Sequence, residues 1–403
     1  MIYNSKLLKK SILSISFYIF IFIVFLIPYS ISGLSANYSF ILLPLIIIFL
    51  SGKIKKPSEN FIIFILFFFI ILLIGTIYQF ELFKYLDRRL ISFFIFMTMF
   101  SYIVIDIDKD KINSFKIAVL LIVLYFVILK IGKFIVFTEA EKGNLKFYVG
   151  SSRYGFVYLL AFWIVYFYKP SSKLLSILKK LTVILILAGI FITYSRTTIL
   201  SLLISFSLFY LTVLFRRDKK FFNKVIYFSL TPLILVILLI LMQKLFADTY
   251  NYFSDTFFIY FSIDGLFNFL ERFDNIKTSE GFRLFLLGKI INYVTFNPFT
   301  GSGFLGCWIM FDDLKCSAHN QYADVLFRTG FIGFYIYLYI LYKVFIYLKD
   351  NHQDLFYGFV SILVYGLFHE TFKMSQGAFI LSFMIGMMVT SKRKLQFSKK
   401  KTN

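Results

Sequence analysis

Long apolar runs recur along the whole chain and constrain its fold more than any other feature. A helix needs about 20 mostly apolar residues to cross the hydrocarbon core of a bilayer. Twelve runs qualify as candidate spans: 11–31, 38–51, 60–78, 90–105, 117–137, 154–168, 181–195, 197–215, 225–246, 324–342, 355–372 and 374–390. The second, sixth, seventh and last are short, which tilt, re-entry or a shifted boundary accommodates. The runs are continuous rather than alternating, unlike the strands of a membrane barrel. Lipid offers backbone groups no partner, so α-helices are the remaining solution. The chain therefore reads as all-α, a polytopic integral membrane protein of about 12 transmembrane helices. No repeat and no Gly/Ser-rich linker divides residues 1–403, so a single membrane domain is expected.

Composition agrees: 59% of the residues are hydrophobic and 16% charged, against about 45–50% and about 25% in a soluble domain. The formal charge of +22 has two readings, a nucleic-acid partner or a record of topology. Placing Lys6, Lys9 and Lys10 in the cytoplasm puts 26 basic residues inside and 17 outside. By side, the net charge is then +19 inside and +3 outside. Nearly all the excess is a topology signal, so no nucleic-acid partner is expected and both termini are read as cytoplasmic. The first span lacks a convincing A-x-A cleavage site and reads as a retained anchor.

One outside loop is long. Residues 247–323 separate the ninth and tenth spans. Within it, NYFSDTFFIYFSIDGLFNFLERF and FRLFLLGKIINYVTFNPF mix apolar residues with scattered charges, as helices lying in a membrane interface do. The loop reads either as a capping subdomain or as a roof over a lipid-accessible cavity. It holds both cysteines, Cys307 and Cys316, which in an oxidising compartment form a disulfide or otherwise stay as two thiols. Their spacing does not suit zinc. A smaller outside loop near 138–153 ends in Gly150-Ser151-Ser152-Arg153.

Ionisable residues in or beside membrane spans are costly, so each needs a reason. Arg196, in Ile192-Thr193-Tyr194-Ser195-Arg196-Thr197-Thr198, falls between two apolar runs at the outer face. It reads as a snorkelling cation or as a bidentate phosphate ligand. Arg283, in Ser279-Glu280-Gly281-Phe282-Arg283, leaves the same choice. Next comes Asn297-Pro298-Phe299-Thr300-Gly301-Ser302-Gly303-Phe304-Leu305-Gly306, a compact turn whose Gly-x-Gly could offer N–H groups to an anion. No strand precedes it and no Walker lysine follows, which disfavours a nucleotide. Then comes Ser317-Ala318-His319-Asn320-Gln321-Tyr322, with Asp324 and Arg328-Thr329-Gly330-Phe331-Ile332-Gly333 beyond it. His319 is one of three histidines and has the right unperturbed pKa for a general base at neutral pH; a structural loop histidine is the other reading. His352 reads as cytoplasmic surface, and His369-Glu370 as the outer end of the eleventh span, paired locally or lining a cavity. Asp106-Ile107-Asp108 sits beside lysines on the cytoplasmic side and reads as a solvated loop rather than a metal site.

The order of these segments is more specific than any of them alone. A Ser-Arg at a span boundary, an Arg in a long outside loop, then NPFTGSGFLG and HNQYADVLFRTGFIG resembles the O-antigen polymerase and O-antigen ligase family of bacterial envelope assembly. That family's pattern includes a Ser/Thr-Arg segment, an Arg before Pro-x-x-Gly-x-Gly, and His-Asn followed by Gly-x-x-Gly. The motif resemblance covers roughly 193–200 and 280–333, and the topology nearly the whole chain.

The resemblance implies glycosyl transfer from an undecaprenyl-diphosphate-linked oligosaccharide at the periplasmic face of the bacterial inner membrane, with 247–323 as the large periplasmic loop. It implies Arg196 and Arg283 as ligands of the diphosphate and His319 as the base on the attacking hydroxyl. Asn320, Arg153, Gly301, Gly303 and Arg328 are further candidates for substrate binding. No cofactor and no metal is implied, because two arginines can take a cation's place at the diphosphate. Expected partners are the lipid-linked glycan, the bilayer and a chain-length regulator. HNQYADVLFRTGFIG is closer to polymerase-type sequences, which favours a polymerase over a ligase. A flippase would call for related halves, which the chain lacks, and a scaffold gives no reason for the His/Arg series.

Overall fold

The computed structural model describes residues 59–78, 86–136, 155–192, 195–214, 279–306 and 318–401. Among these residues the chain is entirely helical, with no strand. The helices are α1 (Glu59–Ile77), α2 (Leu86–Phe100), a 3₁₀ turn (Ser101–Val104), α3 (Lys109–Val136), α4 (Gly155–Phe167) and α5 (Lys173–Ile192). They continue with α6 (Arg196–Leu214), α7 (Ser279–Phe296), α8 (Gln321–Asn351), α9 (Gln353–Tyr365) and α10 (Ser375–Lys401). Three stretches, Lys109–Ile128, Lys173–Phe191 and Gln321–Asn351, are long and apolar enough to cross a membrane. The expected spans 11–31, 38–51 and 225–246, Arg153, Cys307 and Cys316 lie outside the described residues.

Burial separates a protein-facing core from faces that suit lipid. Every residue of α4 from Gly155 to Val165 is buried, as expected of a helix apolar on all sides. It packs against α9, α5, α3 and α6. Trp163 at its centre donates from Nε1 to Ser361 Oγ of α9 at 2.9 Å and to Ser205 Oγ of α6 at 3.3 Å. Small hydroxyl residues between helices give such a donor its partner without separating the backbones. In α1, by contrast, Ile65, Phe68, Ile71 and Leu72 are buried, while Ile63, Leu66, Phe67, Ile70 and Leu73 are exposed. The outer face of α5 is equally apolar, through Leu174, Ile177, Leu181 and Ile184. Water would penalise these faces, whereas acyl chains solvate them.

Several helix boundaries differ from the hydropathy reading, among them the start of α3 at Lys109 rather than 117 and the end of α10 at Lys401 rather than 390. The seventh span begins at Lys173 rather than 181. Its polar first turns are tolerated because Lys179 Nζ reaches back to the carbonyls of Tyr166 at 2.6 Å and Tyr168 at 2.8 Å. The eleventh ends at Tyr365, well before 372. There the Gly366 carbonyl accepts the Gln321 N–H at 2.8 Å, and residues 366–374 form a polar turn. The tenth is interrupted: Gly330 has φ 61 and ψ −167 inside α8. The break frees the Phe331 N–H to bond the Pro298 carbonyl at 2.7 Å.

Candidate functional site

Two segments that carry expected site residues, α7 and the Gly-rich turn after it, meet the N-terminal half of α8. The helix α7, which holds Arg283 in its first turns, lies against α8 through Ile290, Val294, Ala318, Ala323 and Phe327. Tyr293 and Phe327 stack with ring centres 4.6 Å apart.

The Gly-rich turn follows α7 and is inserted between α1 and α8. Gly301, Gly303 and Gly306 have φ of 56, 62 and 63, a region that side chains with a Cβ disfavour. Its N–H groups are taken up within the fold. Ser302 donates to the Phe327 carbonyl at 2.8 Å and Gly303 to the Arg328 carbonyl at 2.9 Å. Phe304 donates to Thr76 Oγ1 at 2.9 Å, and that hydroxyl donates in turn to the Leu72 carbonyl at 2.8 Å. A Cβ at Gly303 would collide with Thr76, and one at Gly75 with the Thr300 carbonyl. In this arrangement Gly301 and Gly303 let three backbones approach closely, and the turn's contribution to the site is placement.

Arg328 ties the turn to α8. Its guanidinium and the Asp324 carboxylate are 0% and 1% exposed, with Nε 2.8 Å from Oδ2. Nη1 donates to the Phe304 carbonyl at 2.6 Å and to Ser92 Oγ of α2 at 3.4 Å. A Cβ at Gly306 would strike the guanidinium. Arg328 thus holds the turn from inside the protein.

His319 lies directly before Asn320, the N-cap of α8. Its φ is 51, the one positive value at a non-glycine among the described residues. Such a backbone costs about 1–3 kcal/mol and persists only where neighbours enforce it. On one side, Asn320 caps α8: its Oδ1 accepts from the N–H groups of Tyr322 at 2.9 Å and Ala323 at 3.0 Å. On the other, Glu370 Oε1 accepts the Ala318 N–H at 2.5 Å. Gln321 Oε1 accepts the Phe372 N–H at 2.7 Å, so the turn after α9 is stitched to both flanks of His319. Lys373 Nζ, 22% exposed, lies 3.1 Å from Glu370 Oε2 and 3.6 Å from Asp324 Oδ1. A chain of alternating charge therefore runs Arg328, Asp324, Lys373, Glu370 beneath the His319 segment.

The same turn reaches the Arg196 segment. His369 Nε2 lies 3.1 Å from Thr197 Oγ1, and its ring stacks on Tyr365 at 4.8 Å. Arg196 is the first residue of α6. Thr198 Oγ1 donates to Ser195 Oγ at 2.7 Å, fixing the start of that helix. Residues 195–198 and 318–320 are thus held to one short turn, although more than a hundred residues separate them. Among the described residues, no group of three or more His, Cys, Asp or Glu side chains is placed to hold a metal ion.

Glu370 stands out in the sequence only together with His369, and Lys373 does not; its signal is a charge just past an apolar run.

Residues 181–338 match a protein family described as O-antigen ligase. The match takes in the Ser-Arg segment, α7, the Gly-rich turn and the first half of α8. Over this segment the chain is similar to the family that its motif order resembles. No curated protein matches the chain. The match and the long apolar helices both suit a membrane protein.

Proposed function

We propose that the chain is a polymerase of O-antigen or a related surface polysaccharide. It would transfer an undecaprenyl-diphosphate-linked glycan to another lipid-linked repeat unit at the periplasmic face of the inner membrane. His319 accepts the proton of the attacking sugar hydroxyl. The hydroxyl oxygen bonds the anomeric carbon as the bond to the diphosphate breaks, and undecaprenyl diphosphate leaves. Arg196 and Arg283 hold the diphosphate, so that fixed positive charge meets the negative charge that develops on the leaving group. The proton on His319 then passes to water. No metal enters the scheme.

The observation that carries this reading is the turn at 366–373, which bonds Thr197, beside Arg196, and Ala318, beside His319. A base and a diphosphate ligand held together suit a reaction in which a hydroxyl displaces the diphosphate. The alternative acceptor is lipid A–core, which would make the chain a ligase; the family match is common to both, and HNQYADVLFRTGFIG favours the polymerase.

Deletion followed by analysis of cell-surface glycan separates the readings. Core carrying a single repeat unit is the expected result. Long polymer left on its lipid carrier would identify a ligase, and lipid-linked repeats trapped in the cytoplasm would overturn glycosyl transfer in favour of a flippase.

A further inference from the structure

We propose that His369 and Glu370 form a two-armed brace that sets the separation between the Arg196 and His319 segments, making both of them positioning residues. The proposal rests on the glycosyl-transfer reading above. One arm is Glu370, whose Oε1 accepts the N–H of Ala318, directly before His319. His319 has φ 51, so its backbone relaxes toward a commoner conformation unless both flanks are held. The downstream flank is held by the Asn320 cap within α8 itself. The upstream flank depends on Glu370, which Lys373 steadies through Oε2 at 3.1 Å.

The other arm is His369, whose Nε2 meets Thr197 Oγ1 at 3.1 Å. Its ring lies flat on Tyr365, with 24° between the planes. Tyr365 is itself wholly buried, and a Cβ at Gly155 would meet both its ring and Thr198. The His369 arm therefore rests on a fixed floor and points at the residue after Arg196. Because the two arms are consecutive residues, their targets are coupled through two side chains and a single peptide unit. Displacing either arm moves the base relative to the diphosphate ligand, and an error of about 1 Å between reacting groups costs on the order of a hundredfold in rate.

The test uses the purified full chain in lipid micelles with a synthetic polyprenyl-diphosphate-linked repeat unit, reading polymer formation. The brace predicts that Glu370→Ala lowers kcat by about 10- to 100-fold while the KM for the glycan lipid changes less than about threefold. Glu370→Gln keeps an oxygen for the Ala318 N–H and recovers most of the loss. His369→Ala lowers kcat similarly. The double variant loses no more than the worse single one, because either lesion releases the same separation. Size-exclusion profiles matching wild type keep misfolding out of the comparison. Equal loss in Glu370→Gln and Glu370→Ala, multiplied losses in the double variant, or unchanged kcat in both single variants would overturn the brace while leaving glycosyl transfer standing. Wild-type protein that forms no polymer, on both this acceptor and lipid A–core, would overturn both.

Discussion

Removing the Asp324 carboxylate strips a buried guanidinium of its ion-pair partner, and the structure sets the size of the effect. Arg328 is 0% exposed and Asp324 1%, so water screens neither. In Asp324→Ala, Arg328 keeps its bonds to the Phe304 carbonyl at 2.6 Å and Ser92 Oγ at 3.4 Å, but both acceptors are neutral. An uncompensated buried charge of this kind costs about 3–5 kcal/mol. Lys373 loses a contact too, but it is 22% exposed and keeps Glu370, so its share is small. Asp324→Leu with Arg328→Met removes both charges and fills similar volume. It leaves the Phe304 carbonyl without its donor, a cost of about 1–3 kcal/mol. The double variant is therefore expected to be more stable than Asp324→Ala. Reversible unfolding in mixed micelles, followed by helical circular dichroism, measures the order. A cost below about 1 kcal/mol for Asp324→Ala, or a double variant less stable than the single, would refute the assignment of a buried, water-excluded pair.

Two further outcomes follow from the packing and the charges. Gly303→Ala, at φ 62 and against Thr76 and the Leu72 carbonyl, should lower folded yield sharply, and Thr76→Ala should not restore it fully, because the contacts with the Thr76 nitrogen and the Leu72 carbonyl and the backbone strain remain; full recovery on a fluorescence size-exclusion trace would contradict this close backbone approach. His352, between α8 and α9, has its pKa pulled below the ordinary histidine value, first by burial and then by Lys116, with Asp354 opposing. The unfolded chain then binds the proton more readily, so stability falls as the pH drops through about 6.5 and is flat above it. His352→Gln should flatten that part of the profile in micelle unfolding between pH 5 and 8, and an identical slope in wild type and variant would contradict it.

How far the sequence carries the structure can be judged residue by residue. Apolar runs locate α1 to α6 and α8 to α10 because burial in lipid demands helix wherever such a run occurs. The end of α9 was not legible: Leu367 and Phe368 continue the apolar run, while the helix stops because the Gly366 carbonyl is needed by Gln321. The Gly-x-Gly spacing announced backbone of positive φ but not the partners of its N–H groups, which are Phe327, Arg328 and Thr76. Asp324 and Arg328 stand four apart on one helix, a spacing that places them on the same face; their pairing was readable, but their burial under Phe304 was not. The meeting of Thr197 with His369 and of Ala318 with Glu370 spans 172 and 52 residues, and no local pattern encodes it.

In the proposed function, His319 and the arginines Arg196 and Arg283 carry out glycan transfer. The most direct measurement is polymer length on cell-surface lipopolysaccharide in a deletion strain complemented with His319→Ala or Arg283→Ala, at membrane abundance equal to wild type. Core bearing a single repeat in both variants is the predicted result. Near-normal polymer length in both would contradict it.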